Sequence, residues 1–75
     1  MILKGRRVQM VCGAMYPIEE GVVYHENSEW AHVKFDDGSA QCIAKYRLLS
    51  NERREIDVFD APIGVYLISE EKEAA

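Results

Sequence analysis

Residues 29–44 read EWAHVKFDDGSAQCIA and decide the fold. Ala31, Val33 and Phe35 alternate with polar or aromatic residues, which is the period of a β-strand with one buried face. Asp37-Gly38 is a strong hairpin signal, because aspartate and glycine tolerate the positive φ that a tight turn needs. The stretch therefore predicts two antiparallel strands, residues 29–36 and 39–44, joined by a tight turn.

Further short strands are predicted on both sides of this hairpin. Residues 7–12 alternate, with Val8, Met10 and Cys12 on one face, and residues 13–20 form a loop. Residues 21–26 are β-branched and aromatic, and an Asn27-Ser28 turn joins them to the central hairpin.

The C-terminal half is read in the same way. Residues 46–49, YRLL, predict a single 3₁₀ turn that plugs one end of a barrel with Leu48 or Leu49. Residues 50–54 are polar with a brief helical turn, and residues 56–59 and 65–68 are strands. We therefore expect an all-β fold, a small five- to six-stranded antiparallel barrel over residues 1–69, followed by a disordered acidic tail at residues 70–75.

Composition limits the kinds of protein this chain can be. Seventy-five residues suffice for one domain, and 48% hydrophobic with 29% charged residues is typical of a globular protein. No apolar run approaches the roughly 18–20 residues that cross a bilayer, and the N-terminal stretch lacks a small-residue cleavage site. We expect a cytoplasmic protein that does not contact membranes.

Catalytic and metal-binding patterns are weak. Cys12 and Cys42 could pair across neighbouring strands, but without signs of secretion we expect reduced, half-buried thiols. Two histidines and no Cys-x-x-Cys argue against structural zinc, and no phosphate loop indicates a nucleotide. The carboxylate pairs Glu19-Glu20 and Asp36-Asp37 point apart as neighbours on a strand or turn do. The sequence predicts neither an enzyme nor a cofactor.

The arrangement of strands resembles small SH3-like barrels of the KOW and Tudor kind. The resemblance is carried by Gly5 and Val8, by Gly21-Val22-Val23, by the third strand and its turn (residues 30–39), and by Leu48-Leu49. It spans residues 5–50 and implies a non-enzymatic barrel. Tudor-like members hold methylated side chains in an aromatic cage, and KOW-like members contact RNA or RNA polymerase. This chain departs from both, because its aromatic residues do not match the cage one by one and its glycine lies in a less basic setting.

A row of side chains on the outer face of the central strand is the predicted site for a protein partner. Trp30, His32 and Lys34 lie opposite the core-facing residues, with Tyr24 across the hairpin and Tyr46 after the fourth strand. Trp30 is either exposed for binding or covered by the last strand or by loop 13–20 in a second small core. A cage of Tyr16, Tyr24, Trp30 and Tyr46 around a cationic group is a further alternative.

Two basic blocks support a second hypothesis. They could share one face and contact a nucleic-acid backbone, or could be solvated and paired with Glu52 and Glu55; their members are Lys4, Arg6, Arg7, Lys45, Arg47, Arg53 and Arg54. The leading prediction is a protein-interaction module, an accessory or regulatory protein docking on a larger bacterial or phage complex. The alternatives are RNA or DNA binding and a homodimeric structural protein, the chain being a monomer or a homodimer.

Overall fold

A computed structural model describes residues 2–13, 15–53 and 62–69. Its elements are β1 (Arg7–Val11), β2 (Glu19–Glu26), β3 (Trp30–Phe35), β4 (Ala40–Ala44), α1 (Lys45–Ser50), β5 (Glu52–Arg53) and β6 (Gly64–Ile68). The strand predicted at residues 56–59, the tail at residues 70–75 and the basic residue Arg54 lie outside the described residues.

The six strands form one mixed sheet that curls into a half-barrel, in the order β4-β3-β2-β1-β6-β5. Strands β1 to β4 form an antiparallel meander, and β6 returns to pair antiparallel with β1. The predicted all-antiparallel, closed barrel is therefore wrong on two points. Strand β5 pairs with β6 in parallel, and within the described residues β4 and β5 remain two separate edges of the sheet.

The parallel strand β5 is held in place by contacts with residues that are distant in the chain. After α1 the chain runs along the outer side of β6, and the Ser69 amide donates a hydrogen bond of 2.7 Å to the Arg53 carbonyl. The Arg6 guanidinium binds the Glu52 carboxylate at 2.8 Å, and the Arg53 guanidinium lies 4.9 Å from the centre of the Tyr66 ring. These contacts hold Glu52 and Arg53 in an extended conformation, although a brief helical turn was predicted for this segment.

The main core lies inside the curl of the sheet. Every inward prediction for the central hairpin is confirmed, since Ala31, Val33 and Phe35 are buried. The remaining buried members are Leu3, Val8, Val23, Ile43, Leu48 and Leu67, with Met10 and Val65 packed against them. Burial of this apolar surface is the main force that curls the sheet.

A second, smaller core lies on the opposite face of β1 and β6. It consists of Val11, Tyr66 and Ile68, with Ile18 packed against them. The Tyr66 hydroxyl donates a hydrogen bond of 2.6 Å to the Pro62 carbonyl, which satisfies the polar end of a buried ring. Strands β1 and β6 are thus buried on both faces.

Two further predictions need correction. Residues 45–50 form an α-helix instead of a 3₁₀ turn over residues 46–49, because the packing of Leu48 into the main core stabilises the helical turns. The Ser50 hydroxyl reaches back to the Tyr46 carbonyl at 2.9 Å. Leu48 fills the core as predicted, whereas Leu49 remains partly exposed. Strand β2 begins at Glu19, inside the predicted loop, because Glu19 and Glu20 pair with Met10 and Gln9 of β1.

The central hairpin turns at Asp37-Gly38 as predicted, but only Gly38 of the two has a positive φ. Gly38 has a φ of +92°, and its amide donates to the Phe35 carbonyl at 2.9 Å. The Phe35 amide in turn donates to the Ser39 carbonyl at 2.8 Å, which is typical of a type I turn followed by a glycine bulge.

None of the helices in the described ranges is long and apolar enough to span a membrane.

Candidate binding surface

The outer face of β2, β3 and β4 carries most of the residues predicted to bind a partner. His32 is at its centre, because its ring lies 6.2 Å from the Tyr24 ring in an edge-on arrangement and 5.3 Å from the His25 ring. The Cys42 Sγ lies 3.9 Å from the His32 Nε2. Lys34 is exposed farther along β3, paired with Val22 and Ala40. Tyr24, His32 and Lys34 therefore share one face, as the alternation predicts.

Trp30 lies at the end of this face and lines a groove with Tyr46. The groove has a volume of about 480 Å³ and is lined by Ser28, Glu29, Trp30, Ala44, Lys45 and Tyr46; we call it the Trp30 groove. The Trp30 side chain is 42% exposed and Tyr46 is 74% exposed. Of the two alternatives for Trp30, the structure has the exposed one, since the second core is built from Val11, Tyr66 and Ile68 instead.

The Trp30 groove is held by a hydrogen-bonded corner around Asn27. The Asn27 Oδ1 accepts hydrogen bonds from the Glu29 amide at 2.9 Å and the Trp30 amide at 2.8 Å. The Lys45 Nζ donates to the Asn27 carbonyl at 3.0 Å, and the Lys45 amide donates to the Glu29 carbonyl at 2.9 Å. The β2–β3 turn and the start of α1 are thus fixed to each other, so both aromatic rings are presented from an ordered frame.

Glu26 ties the N-terminal segment to the same corner. Its carboxylate accepts a hydrogen bond of 2.7 Å from the Leu3 amide and lies 3.5 Å from the Lys45 Nζ. The backbone hydrogen bond from Leu3, aided by the charge of Lys45, lowers the pKa of Glu26 from its ordinary value. Glu26 is therefore held ionised at neutral pH.

A second groove lies on the other side of Trp30, between the β4 edge and β6. It has a volume of about 360 Å³ and shares Trp30, Ala44 and Tyr46 with the first. Its other lining residues are Gln41, Cys42, Ile43, Arg47, Asn51 and Val65. The two grooves place accessible space on both sides of the C-terminal end of β4.

The predicted four-residue aromatic cage is not assembled. Tyr16 lies at the opposite end of β2, where its ring borders Gly13 near the Ile63 side chain. Tyr24 contacts His32, which leaves Trp30 and Tyr46 as the pair of predicted cage residues that line a common groove. What the site offers is an open groove with two aromatic walls.

Most of the basic residues with described contacts are matched by carboxylates. Arg6 pairs with Glu52 at 2.8 Å, Arg7 with Glu20 at 3.1 Å, and Lys45 with Glu26 at 3.5 Å. Arg53 stacks on Tyr66, Arg47 lines the second groove, and Lys4 is exposed. Arg6 and Glu52 do bring the two basic blocks together, but through an intervening negative charge.

Features tied to metal or redox chemistry are sparse in the described residues. There, no group of three histidine, cysteine or acidic side chains is placed to hold a metal ion. Cys12 and Cys42 are free thiols and are exposed, more so than expected. Asp37 serves the turn, because its carboxylate accepts from the Ser39 amide at 2.9 Å and the Ser39 hydroxyl at 2.7 Å, and these bonds lower its pKa.

The corner formed by Glu26, Asn27 and Lys45 was missed at the level of sequence. Asparagine in a two-residue turn is a known side-chain cap of the turn backbone, so Asn27 could have been inferred. The contact from Lys45 to Glu26 spans distant parts of the chain and has no local pattern.

Comparisons of the chain with protein-family models, with curated proteins and with solved structures found no match.

Proposed function

We propose that this chain is a non-enzymatic protein-interaction module that binds its partner through the Trp30 groove. The observation that carries the proposal is the pair of exposed aromatic side chains, Trp30 and Tyr46, facing one groove. Tryptophan and tyrosine are enriched among the residues that dominate binding at protein interfaces, because they bury large areas with little loss of conformational entropy. The Asn27 corner reduces the ordering cost further, since it fixes the backbone that carries both.

We further propose that the half-barrel is of the SH3-like type. The four-stranded meander, the short helix after β4 and the return of the last strand to β1 support this assignment. Domains of that type act mainly by binding, which agrees with an accessory protein docking on a larger bacterial or phage complex. The Asn27 corner and the Trp30 groove lie where β3, β4 and α1 meet.

Nucleic-acid binding has less support. Phosphate contacts require cationic side chains that are available to the backbone of the nucleic acid. Arg6, Arg7 and Lys45 each face a carboxylate within 3.5 Å. Among the described basic residues, a nucleic acid would have to displace these carboxylates, or bind chiefly through Lys4, Lys34, Arg47 and Arg53.

The proposal is tested by affinity capture with the immobilised chain, followed by titration of the captured protein. Trp30→Ala should weaken binding by about tenfold or more, as expected for a central aromatic anchor. Val22→Ala is the matched control, because Val22 is also exposed and apolar on the outer face but lies outside the groove. Its affinity should stay within about twofold of the wild type.

The competing function gives an opposite pattern. If the chain binds nucleic acid, a labelled single-stranded RNA or a DNA duplex should show binding whose affinity falls steeply with salt. Reversing the charges of Arg6, Arg7 and Arg47 would then abolish binding while Trp30→Ala leaves it intact. That result would overturn the proposed protein-binding function.

A further inference from the structure

The two edges of the sheet differ in how well they are protected. Natural sheets discourage pairing with other chains by short edge strands, by charges or by proline. Strand β5 has two residues, Glu52 and Arg53, and both are charged. Strand β4, AQCIA, has five residues without charge or proline, and three of them, Ala40, Gln41 and Cys42, are exposed. Among the described residues no second strand covers β4, so its edge is open to strand pairing.

Hydrogen bonds at the two ends of the β3–β4 ladder show which backbone groups of β4 point outward. The Phe35 amide donates to the Ser39 carbonyl, and the Lys45 amide donates to the Glu29 carbonyl. The register between these pairs is regular, with Cys42 opposite His32. Because hydrogen-bonded and non-hydrogen-bonded pairs alternate in an antiparallel ladder, Gln41 and Ile43 bond to β3.

The intervening residues Ala40 and Cys42 direct their amide and carbonyl groups away from β3, and so does the Ala44 amide. The Ala44 carbonyl is used by α1, because Ala44 is the N-cap of that helix. Within the described residues β4 has β3 as its one neighbour in the sheet. Outward groups thus alternate regularly along β4 and are centred on Cys42.

We propose that two copies of this chain associate through antiparallel pairing of their β4 strands, with Cys42 at the two-fold axis. In this register Cys42 faces Cys42 of the second copy, and Ala40 faces Ala44. The outward groups of both strands that α1 does not use are then satisfied by about four hydrogen bonds. A two-fold contact of this kind uses the same strand on both copies and closes after two chains.

The side chains of β4 fit this register. On the outer face the facing residues are alanine against alanine and cysteine against cysteine, which are small and uncharged. On the inner face Gln41 would lie opposite Ile43 of the second copy. The same register brings the exposed Asp36-Asp37 turn of one copy toward the C-terminal end of β4 in the other copy. Helix α1, which carries the exposed Arg47, begins at that end. The acidic turn of each copy and Arg47 of the other would therefore approach each other at the ends of the shared strand pair.

The first test measures self-association under reducing conditions by sedimentation velocity over a range of concentrations. Wild-type protein should dimerise, and Cys42→Glu should weaken the dimer by about tenfold or more, since two carboxylates would face each other at the axis. Val22→Glu is the matched control, because it adds the same charge to an exposed position of the same face two strands from the edge. A wild-type chain that stays monomeric up to about 1 mM would overturn the proposal.

The second test uses disulfide formation as a distance measurement. Cα atoms of a hydrogen-bonded antiparallel pair lie about 5.5 Å apart, within the range that a disulfide spans. Diamide, which takes up the two electrons and two protons released, should rapidly convert Cys12→Ala protein to a covalent dimer. Cys42→Ala protein, which keeps the exposed Cys12 thiol, should form it only slowly. Equal rates would indicate random collision and contradict the β4 contact, whereas loss of partner capture by Trp30→Ala has no bearing on it.

Discussion

Gly21 lies directly against the Phe35 ring, its partner in the β2–β3 ladder. A Cβ atom at Gly21 would lie 2.7 Å from the Phe35 Cδ1 and 2.9 Å from the Lys34 carbonyl oxygen. The second contact is to strand backbone, which cannot move without breaking the ladder. We expect Gly21→Ala to lower the free energy of unfolding by about 1–3 kcal/mol, measured by urea denaturation.

Gly64→Ala is the matched control for this prediction. Gly64 is also in a strand, but a Cβ atom there would first meet the Tyr66 hydroxyl at 3.7 Å, an ordinary van der Waals contact. Its free energy of unfolding should stay within about 0.5 kcal/mol of the wild type. Equal losses at both positions would mean that the crowding around Gly21 relaxes freely.

The single side chain of Glu26 also makes a contribution to stability, and this contribution depends on pH. Its pKa is lowered in the folded protein by the Leu3 amide, and in the unfolded chain it returns to its ordinary value. The contribution is therefore present at pH values above the ordinary pKa, about 4.3, and is lost as the pH falls through the lower folded-state pKa. Glu26→Gln should flatten part of the decline in stability between neutral and acidic pH, measured by urea denaturation across that range.

Asp37 must be separated from Glu26 in this experiment, because its pKa is also lowered in the folded state. Asp37→Asn removes the contribution of the hairpin turn and leaves the Leu3–Glu26 contact intact. The two variants should each remove part of the pH dependence, and the double variant should remove the sum, since the groups lie at different ends of β3. An unchanged pH profile in Glu26→Gln would exclude ionisation of Glu26 as a source of the pH-dependent stability.

Helix α1 is held by one buried side chain. It has six residues, and Ala44 at its N-terminus makes no side-chain cap, so its own propensity contributes little to its stability. Leu48 is fully buried in the main core, whereas the next residue, Leu49, is 37% exposed. Leu48→Ala should cost about 2–5 kcal/mol of unfolding free energy, and Leu49→Ala distinctly less. Guanidinium denaturation of both variants checks this, and similar losses would contradict the packing of the helix.

The strands of the meander could be predicted from sequence because their information is local. Alternation placed Val33 and Phe35 in the core, and Asp37-Gly38 located the turn between β3 and β4. The parallel position of β5 could not be predicted, since it depends on contacts such as Arg6 with Glu52, which join residues far apart in the chain. Likewise, alternation placed Trp30 on the outer face and Tyr46 was named with it as a partner-binding residue, but the groove that the two share is seen only in the packed structure.

The whole molecule is organised around two cores on opposite faces of β1 and β6. Val8 and Leu67 belong to the main core, whereas Val11, Tyr66 and Ile68 form the second. Strand β6 is distant from β1 in sequence, yet the two pair over four consecutive residues. The two cores therefore share the backbone ladder of β1 and β6. If β6 detached from β1, both cores would be exposed to solvent.

This sharing predicts that the molecule unfolds as one unit. Leu67→Ala, in the main core, and Ile68→Ala, in the second core, should each lower the denaturation midpoint without changing the slope of the transition. Trp30 is the one tryptophan of the chain and lies on β3, away from both substitutions, so its fluorescence reports a remote part of the sheet. For both variants its transition should coincide with that of far-ultraviolet circular dichroism. If Ile68→Ala lowers the circular dichroism midpoint while the fluorescence midpoint stays in place, the second core unfolds separately and the shared ladder does not couple the two.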